Sequence, residues 1–265
     1  MQFRKLALVA GTCIALLGQA PAGAGTLADY RLLVLDGHQL KWGKPLLGSG
    51  ASVSYAIVAR ERQFPGARNC SGLRPISAVL SSNNIKAARF QSELELAFQA
   101  WERIAGIVLV PGDPESADIL IGTQIAPRGR AFTNVSYDEV AKTTGIRSIT
   151  RALICLNPTE RWKIGFDGNL DVYDLRYTLM HEIGHAIGLN HPEVRGALMH
   201  FKYLEKFRTL QTGDAEGAVA LYGPAVGPSI VADKSAKPGP VEHAKSWGEA
   251  AIDGQRRAER EARIE

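Results

Sequence analysis

The chain has 265 residues, a formal net charge of +4 and 45% hydrophobic residues. That is enough chain for one domain with a substantial buried core. No dense basic patch with interleaved aromatics occurs, which argues against nucleic acid as a partner, and no internal repeat is visible.

The N-terminus reads as an export signal. Arg4 and Lys5 precede an apolar run from Leu6 to Leu17, and Ala22-Gly23-Ala24 follows as a small-residue cleavage site. Cleavage is expected after Ala24, with Ala22 as the alternative; a buried N-terminal helix is the competing reading. The run is too short to span a membrane, and no second apolar stretch of membrane length follows. The expected destination is secreted, either periplasmic or extracellular. Losing residues 1–24 removes Cys13 and two positive charges. Cys70 and Cys155 then remain. Two cysteines in an exported protein suggest one disulfide, against the alternative of two buried free thiols.

The following elements are expected in chain order. Tyr30 to Val34, with Trp42, forms a short strand or an arm packed on the domain. Val53 to Ile57 is an aromatic strand. Residues 83–105 carry Phe90, Leu94, Ala97, Phe98, Trp101 and Ala105 at steps of three and four, the apolar face of a long helix. Short β-branched runs at 107–110, 117–121 and 151–156 are strands. A second helix spans 174–188 with Asp174 as N-cap. Beyond Gly223 the composition shifts to Pro224, Pro228, Pro238 and Pro240, then a charged run to Glu265. The chain thus divides into a leader (1–24), one domain (25–223) and a flexible charged tail (224–265). The fold class is α+β: a twisted mixed sheet packed on two helices, with a cleft below the second.

Residues 181–191 carry the chemistry. They read His-Glu-Ile-Gly-His-Ala-Ile-Gly-Leu-Asn-His. On an α-helix His181 and His185 lie about 40° apart on one face, so both imidazoles can reach one metal ion. Glu182 projects about 100° away from His181 and reaches a neighbouring water more readily than the metal. Gly188 suits a left-handed residue just past the helix end, after which the chain turns back and His191 arrives as third ligand. Three protein ligands with an open fourth position characterise a catalytic zinc site. Zinc-activated water, with Glu182 as general base, would hydrolyse a peptide bond.

This motif resembles that of the metzincin zinc endopeptidases. The clan carries a methionine turn beneath the metal, and Ala197-Leu198-Met199-His200 matches it, with Met199 as the turn residue. An ordinary core methionine is the competing reading. Pro192 after the third histidine suits neither the astacin-like nor the adamalysin-like branch. Asp214 to Gly223, ending Leu-Tyr-Gly, is similar to the last helix of matrixins, the matrix-metalloproteinase family. The strand at 117–121 and the helix with Trp101 fit the same family. The resemblance spans about residues 40–223, strong at 181–191 and weaker elsewhere. It implies a metzincin-like zinc-protease fold, a secreted endopeptidase of extracellular-matrix type, and one catalytic Zn2+. The substrate implied is a protein or peptide, bound extended along an edge strand by a monomer. The alternatives are a zinc-binding module without turnover and a metzincin of another branch.

Some family features have no counterpart in the sequence. Three of the six histidines (His38, His200 and His243) lie outside the motif and form no cluster between 120 and 170, so a second histidine-held zinc is not expected. Cys70 lies after the first strand, so a pro-segment cysteine switch is not expected either. Phe201 occupies the place where some metzincins carry a tyrosine that approaches the metal. Asp167-Gly168-Asn169-Leu170-Asp171 looks like part of a calcium loop, which makes Ca2+ a candidate second ion beside a turn-and-cap reading. His200 is expected at the surface, with the substrate pocket as the other option. Residues 192–203 should form the pocket wall beyond the scissile bond.

Overall fold

The computed structural model describes residues 30–140, 145–193 and 195–225. The expected leader and the tail beyond Ala225 lie outside them. In chain order the elements are β1 (Arg31–Leu32), β2 (Val34–Leu35), β3 (His38–Lys41), β4 (Ala51–Ile57), β5 (Arg62–Gln63), β6 (Gly72–Arg74), α1 (Ser77–Ser82), α2 (Ala87–Glu102), β7 (Ile107–Pro111), β8 (Ile119–Gln124), β9 (Ala131–Tyr137), β10 (Ile146–Leu156), β11 (Trp162–Lys163), β12 (Tyr173–Asp174), α3 (Leu175–Ala186), β13 (Leu189–Asn190) and α4 (Thr212–Tyr222).

Strands β7, β4, β8 and β10 run parallel in that spatial order. The β-branched runs read from the sequence supply these strands, and β8 is buried along its whole length. Among the described residues β9 pairs antiparallel with β10 and with no other strand, so it is an edge. Nothing in the composition of 131–137 announced it. Its alternation is weak, and its place is set by β10.

α2 crosses from β4 to the parallel β7 and lays Phe90, Leu94, Ala97, Phe98 and Trp101 into the core. Phe98 stacks on Tyr55 of β4 at 3.7 Å between ring centroids. The expected helix over 83–105 is shorter than its apolar pattern. Asn84 has φ +53, and Asn83 uses its side chain to bond Val79 O and Trp162 N. The asparagines therefore end α1, and α2 starts afresh at Ala87. Trp101 Nε1 donates to Met180 O at 3.0 Å, which ties α2 to α3.

A charged cluster fixes the start of α3. Glu93, fully buried on α2, meets Arg89, Arg176 and Arg208 at 3.1, 2.5 and 3.2 Å. Arg208 also reaches Asp174, whose Oδ1 caps α3 by accepting from Tyr177 N at 2.8 Å. A lone buried carboxylate would be costly, and three guanidinium groups offset that cost.

Cys70 and Cys155 form a disulfide, with their Cα atoms 6.4 Å apart and 85 positions between them in sequence. It ties the 64–72 loop to β10. Cross-links closing loops of this length typically contribute about 2–5 kcal/mol. The Cys70→Ser/Cys155→Ser protein is expected to lose about that much unfolding free energy in a urea titration. An unchanged midpoint would show that the bridge contributes nothing.

Candidate metal centre and cleft

α3 buries Leu175, Leu179, Ile183 and Ala186 and leaves His181 and His185 toward a cleft. The helix ends at Ile187, and Gly188 adopts φ +102. A Cβ there would lie 2.4 Å from Leu40 O, so only glycine allows this reversal. β13 then pairs with β1, and His191 returns to face the helix.

The three imidazoles converge. His181 Nε2 and His185 Nε2 each lie 3.0 Å from His191 Nε2, and one ligand atom from each ring falls within 4.8 Å of the others. Nδ1 of His181 lies 2.9 Å from Leu198 O, and Nδ1 of His185 lies 2.9 Å from Leu189 O. A carbonyl only accepts, so these Nδ1 atoms carry the protons and each Nε2 presents a lone pair. His191 Nε2 lies within hydrogen-bond reach of both, so the three nitrogens are close enough to share one cation. Two nitrogens on one tetrahedral zinc stand about 3.3 Å apart, so this donor set suits Zn2+. Burial holds His181 and His185 below the ordinary imidazole range, and for His181 the neighbouring His185 adds to it. Burial, then His185 and His200, bring His191 to about 4. All three are therefore neutral at physiological pH, the form in which an imidazole can hold a metal ion.

Glu182 is 6% exposed, and burial pushes its carboxyl up to about 7 despite a hydrogen bond from Thr133. Thr133 Oγ1, on edge strand β9, donates to Glu182 Oε2 at 2.7 Å. The sequence carried no sign of Thr133, because only the pairing of β9 beside α3 makes it a neighbour.

Met199 is buried, and its Sδ packs on Gly184. A Cβ at position 184 would come within 2.2 Å of that sulfur and 2.9 Å of Trp101 Cζ2. One carboxylate, Asp214, accepts from Leu198 N and Met199 N at 2.8 and 2.9 Å and also from Gln211 N at the start of α4. His200 is 6% exposed, which corrects the surface reading. Its ring lies tilted against that of Phe201, with centroids 4.5 Å apart, and its Nδ1 accepts from Lys202 N. Phe201 is 68% exposed, with its ring 6.4 Å from that of His191. The expected wall at 192–203 contributes His200, Phe201 and Tyr203 to a cavity of about 750 Å³ that also holds the three histidines and Glu182.

The 167–171 loop is organised around an internal cation. Lys163 Nζ pairs with Asp167, with Asn169 O at 2.8 Å and with Glu205 at 2.5 Å. Glu205 also accepts from Asp167 N and Gly168 N. An ammonium therefore pairs with Asp167, one of the two aspartates that suggested calcium.

A mixed sheet backed by one long helix and by a second helix whose two imidazoles meet a third from the segment after it defines the metzincin class of fold. The family profile for matrixins matches residues 77–223, more than half of the chain, and the chain belongs to the matrixin family. Matrixins are zinc metalloendopeptidases. Among its relatives, human matrix metalloproteinase-20 is 27% identical over 179 residues, 63% of this chain and 35% of that protein. Interstitial collagenase of Oryctolagus cuniculus is 27% identical over 151 residues, 55% of this chain and 31% of that protein. Metalloendoproteinase 4-MMP of Arabidopsis thaliana is 36% identical over 72 residues, 26% of this chain and 21% of that protein. The chain spans about a third or less of the length of these curated relatives.

Gly184→Ala should push Met199 and Trp101 apart. The expected result is a loss of about 1–3 kcal/mol in thermal or chemical melts, together with weaker zinc retention on dialysis. A variant as stable as the parent would show that this packing is loose. The low His191 pKa has its own signature in chelator-treated protein. Between about 6.5 and 4 the unfolded chain binds a proton that the folded chain does not, so this contribution is full above 6.5 and falls toward 4. His191→Gln lacks it, so the parent chain should lose stability faster than the variant as acid is added. Parallel stability curves would contradict this assignment.

Proposed function

We propose that this chain is an exported zinc endopeptidase, with 1–24 its leader, 25–223 its catalytic domain and 224–265 its tail. His181, His185 and His191 hold one zinc ion, Glu182 is the general base, and Met199 is the turn residue beneath the site. The observation that carries the reading is the convergence of three neutral Nε2 atoms beside a buried carboxyl whose pKa lies near 7. Bound there, zinc supplies Lewis acidity to the scissile carbonyl and lowers the pKa of water.

This chain's own residues do the rest. Glu182 takes a proton from the attacking water and returns it to the leaving amine. A carboxyl held near 7 both accepts and releases a proton at neutral pH. Thr133 orients that carboxyl from the edge strand. The free side of β9 offers backbone groups to an extended peptide, which would add as a further strand while its side chains enter the cavity. Among the described residues no helix is long and apolar enough to cross a membrane. The substrate is a protein or peptide, the enzyme a monomer, and the place of action outside the cytoplasm. Lys163 supplies the positive charge at the 167–171 loop, so zinc is the one ion this reading requires.

Glu182→Ala should retain about one zinc per chain by elemental analysis. Its cleavage of casein should fall by roughly 10²–10⁴-fold, the usual weight of a general base. A variant that keeps zinc and full turnover would remove Glu182 from the mechanism.

A further inference from the structure

The cleft contains a cation whose charge reaches Glu182 but which binds no group in the hydrolysis described above. Arg130 immediately precedes β9 and lines the same cavity as the three histidines. Its guanidinium carbon lies 3.9 Å from the centroid of the Tyr173 ring and 5.2 Å from that of Tyr203. The tyrosines hold the guanidinium in place. No carboxylate among the described residues forms an ion pair with it, and its buried Nε has no hydrogen-bond partner. Thr178 lines the same cavity from α3, one turn before Glu182. It is 4% exposed, and its Oγ1 also lacks a partner.

Buried polar atoms are nearly always paired, and leaving them unpaired costs free energy. Two such atoms at one cavity point to an acceptor that arrives with the ligand. Arginine only donates, and its fork matches a carboxylate. A threonine hydroxyl can donate to the same group.

We propose that Arg130 and Thr178 bind a carboxylate of the substrate on the C-terminal side of the bond to be cut. This rests on the peptidase reading above. Thr133, bonded to Glu182, marks the level of the scissile bond on β9. A peptide paired antiparallel to β9 runs opposite to it. Its C-terminal part therefore lies toward Ala131, beside Arg130. The carboxylate belongs either to an Asp or Glu side chain at that position or to the end of a peptide chain. Arg130 and Thr178 are thus specificity residues, and the preferred substrate is acidic just beyond the cleavage point.

Four fluorogenic peptides of otherwise identical sequence decide it. Two are amidated at the C-terminus and carry Glu or Gln directly after the scissile bond. Two carry Gln there and end at that residue, one with a free carboxylate and one amidated. The kcat/KM ratio of Glu to Gln, or of free to amidated end, should be about 10–100 for the parent chain, the worth of a charge-assisted pair. Whichever ratio is raised identifies the source. Arg130→Gln and Thr178→Val should each bring it toward one, while Arg130→Lys should retain part of it. Fluorescence anisotropy on the zinc-loaded Glu182→Ala protein reads the same ratios in binding, without turnover.

Ratios near one in the parent chain would overturn the proposal, as would ratios that Arg130→Gln leaves unchanged. If no peptide is cut but Glu182→Ala binds the carboxylate peptide preferentially through Arg130, the peptidase reading falls and this one stands. Should Arg130→Gln not fold, the near-isosteric Thr178→Val decides.

Discussion

The reversal at Gly188 is the constraint on which the site depends. Helical spacing brings two imidazoles to one face, but the third is six residues past the second and must come back. Only a residue without a Cβ passes Leu40 O at this φ. β1 then holds the returning segment by pairing with β13, and Leu33 N donates to Gly188 O at 2.8 Å. The N-terminal arm is thus a clamp on the metal-binding turn. The convergence it enforces puts three imidazole nitrogens within reach of one another, the arrangement that a metal ion would need.

The rest of the domain keeps α3 from moving in response. The Glu93 cluster and the Asp174 cap anchor its start, and Trp101 reaches the carbonyl of Met180 at its middle. Met199 fills the space beneath Gly184, and Asp214 holds that turn by two backbone amides while starting α4. The last helix therefore acts on the metal site through one carboxylate. Removing α4 would release the turn as well as the helix.

The opposite wall is the edge strand. β9 presents Thr133 to Glu182, and its Asn134 side chain accepts from Arg68 N and Asn69 N of the loop that the disulfide ties down. Oxidation of two distant cysteines therefore braces the rim of the cleft as well as stabilising the domain. An edge strand is a liability where it invites any other strand to pair. Here the same open backbone is what the proposed extended substrate would use, and Arg130 immediately precedes the strand.

Much of this was legible locally. The spacing of 181–191, the Asp174 cap, the glycine past the helix, the face of α2 and the β-branched strands are patterns within a few residues of sequence. Local patterns report local geometry well, because helical period and glycine stereochemistry act over one or two turns. The overlong helix at 83–105 shows the limit. The helix starts later than that, because the Asn83 side chain bonds Val79 and Trp162 and Asn84 takes a positive φ. His200 shows another: its neighbours could not say which side of the turn faced inward. Thr133, Arg130, Thr178, Asp214 and Lys163 carry no motif, and their meaning is purely positional. The sequence by itself determined which residues could hold a metal, because helical spacing and a glycine past the helix end set where three histidines and a glutamate can go. Only the tertiary structure decided what surrounds that chemistry, because burial, pairing and charge at the cleft come from segments as distant in sequence as Leu33 and Tyr203 that only the fold brings together.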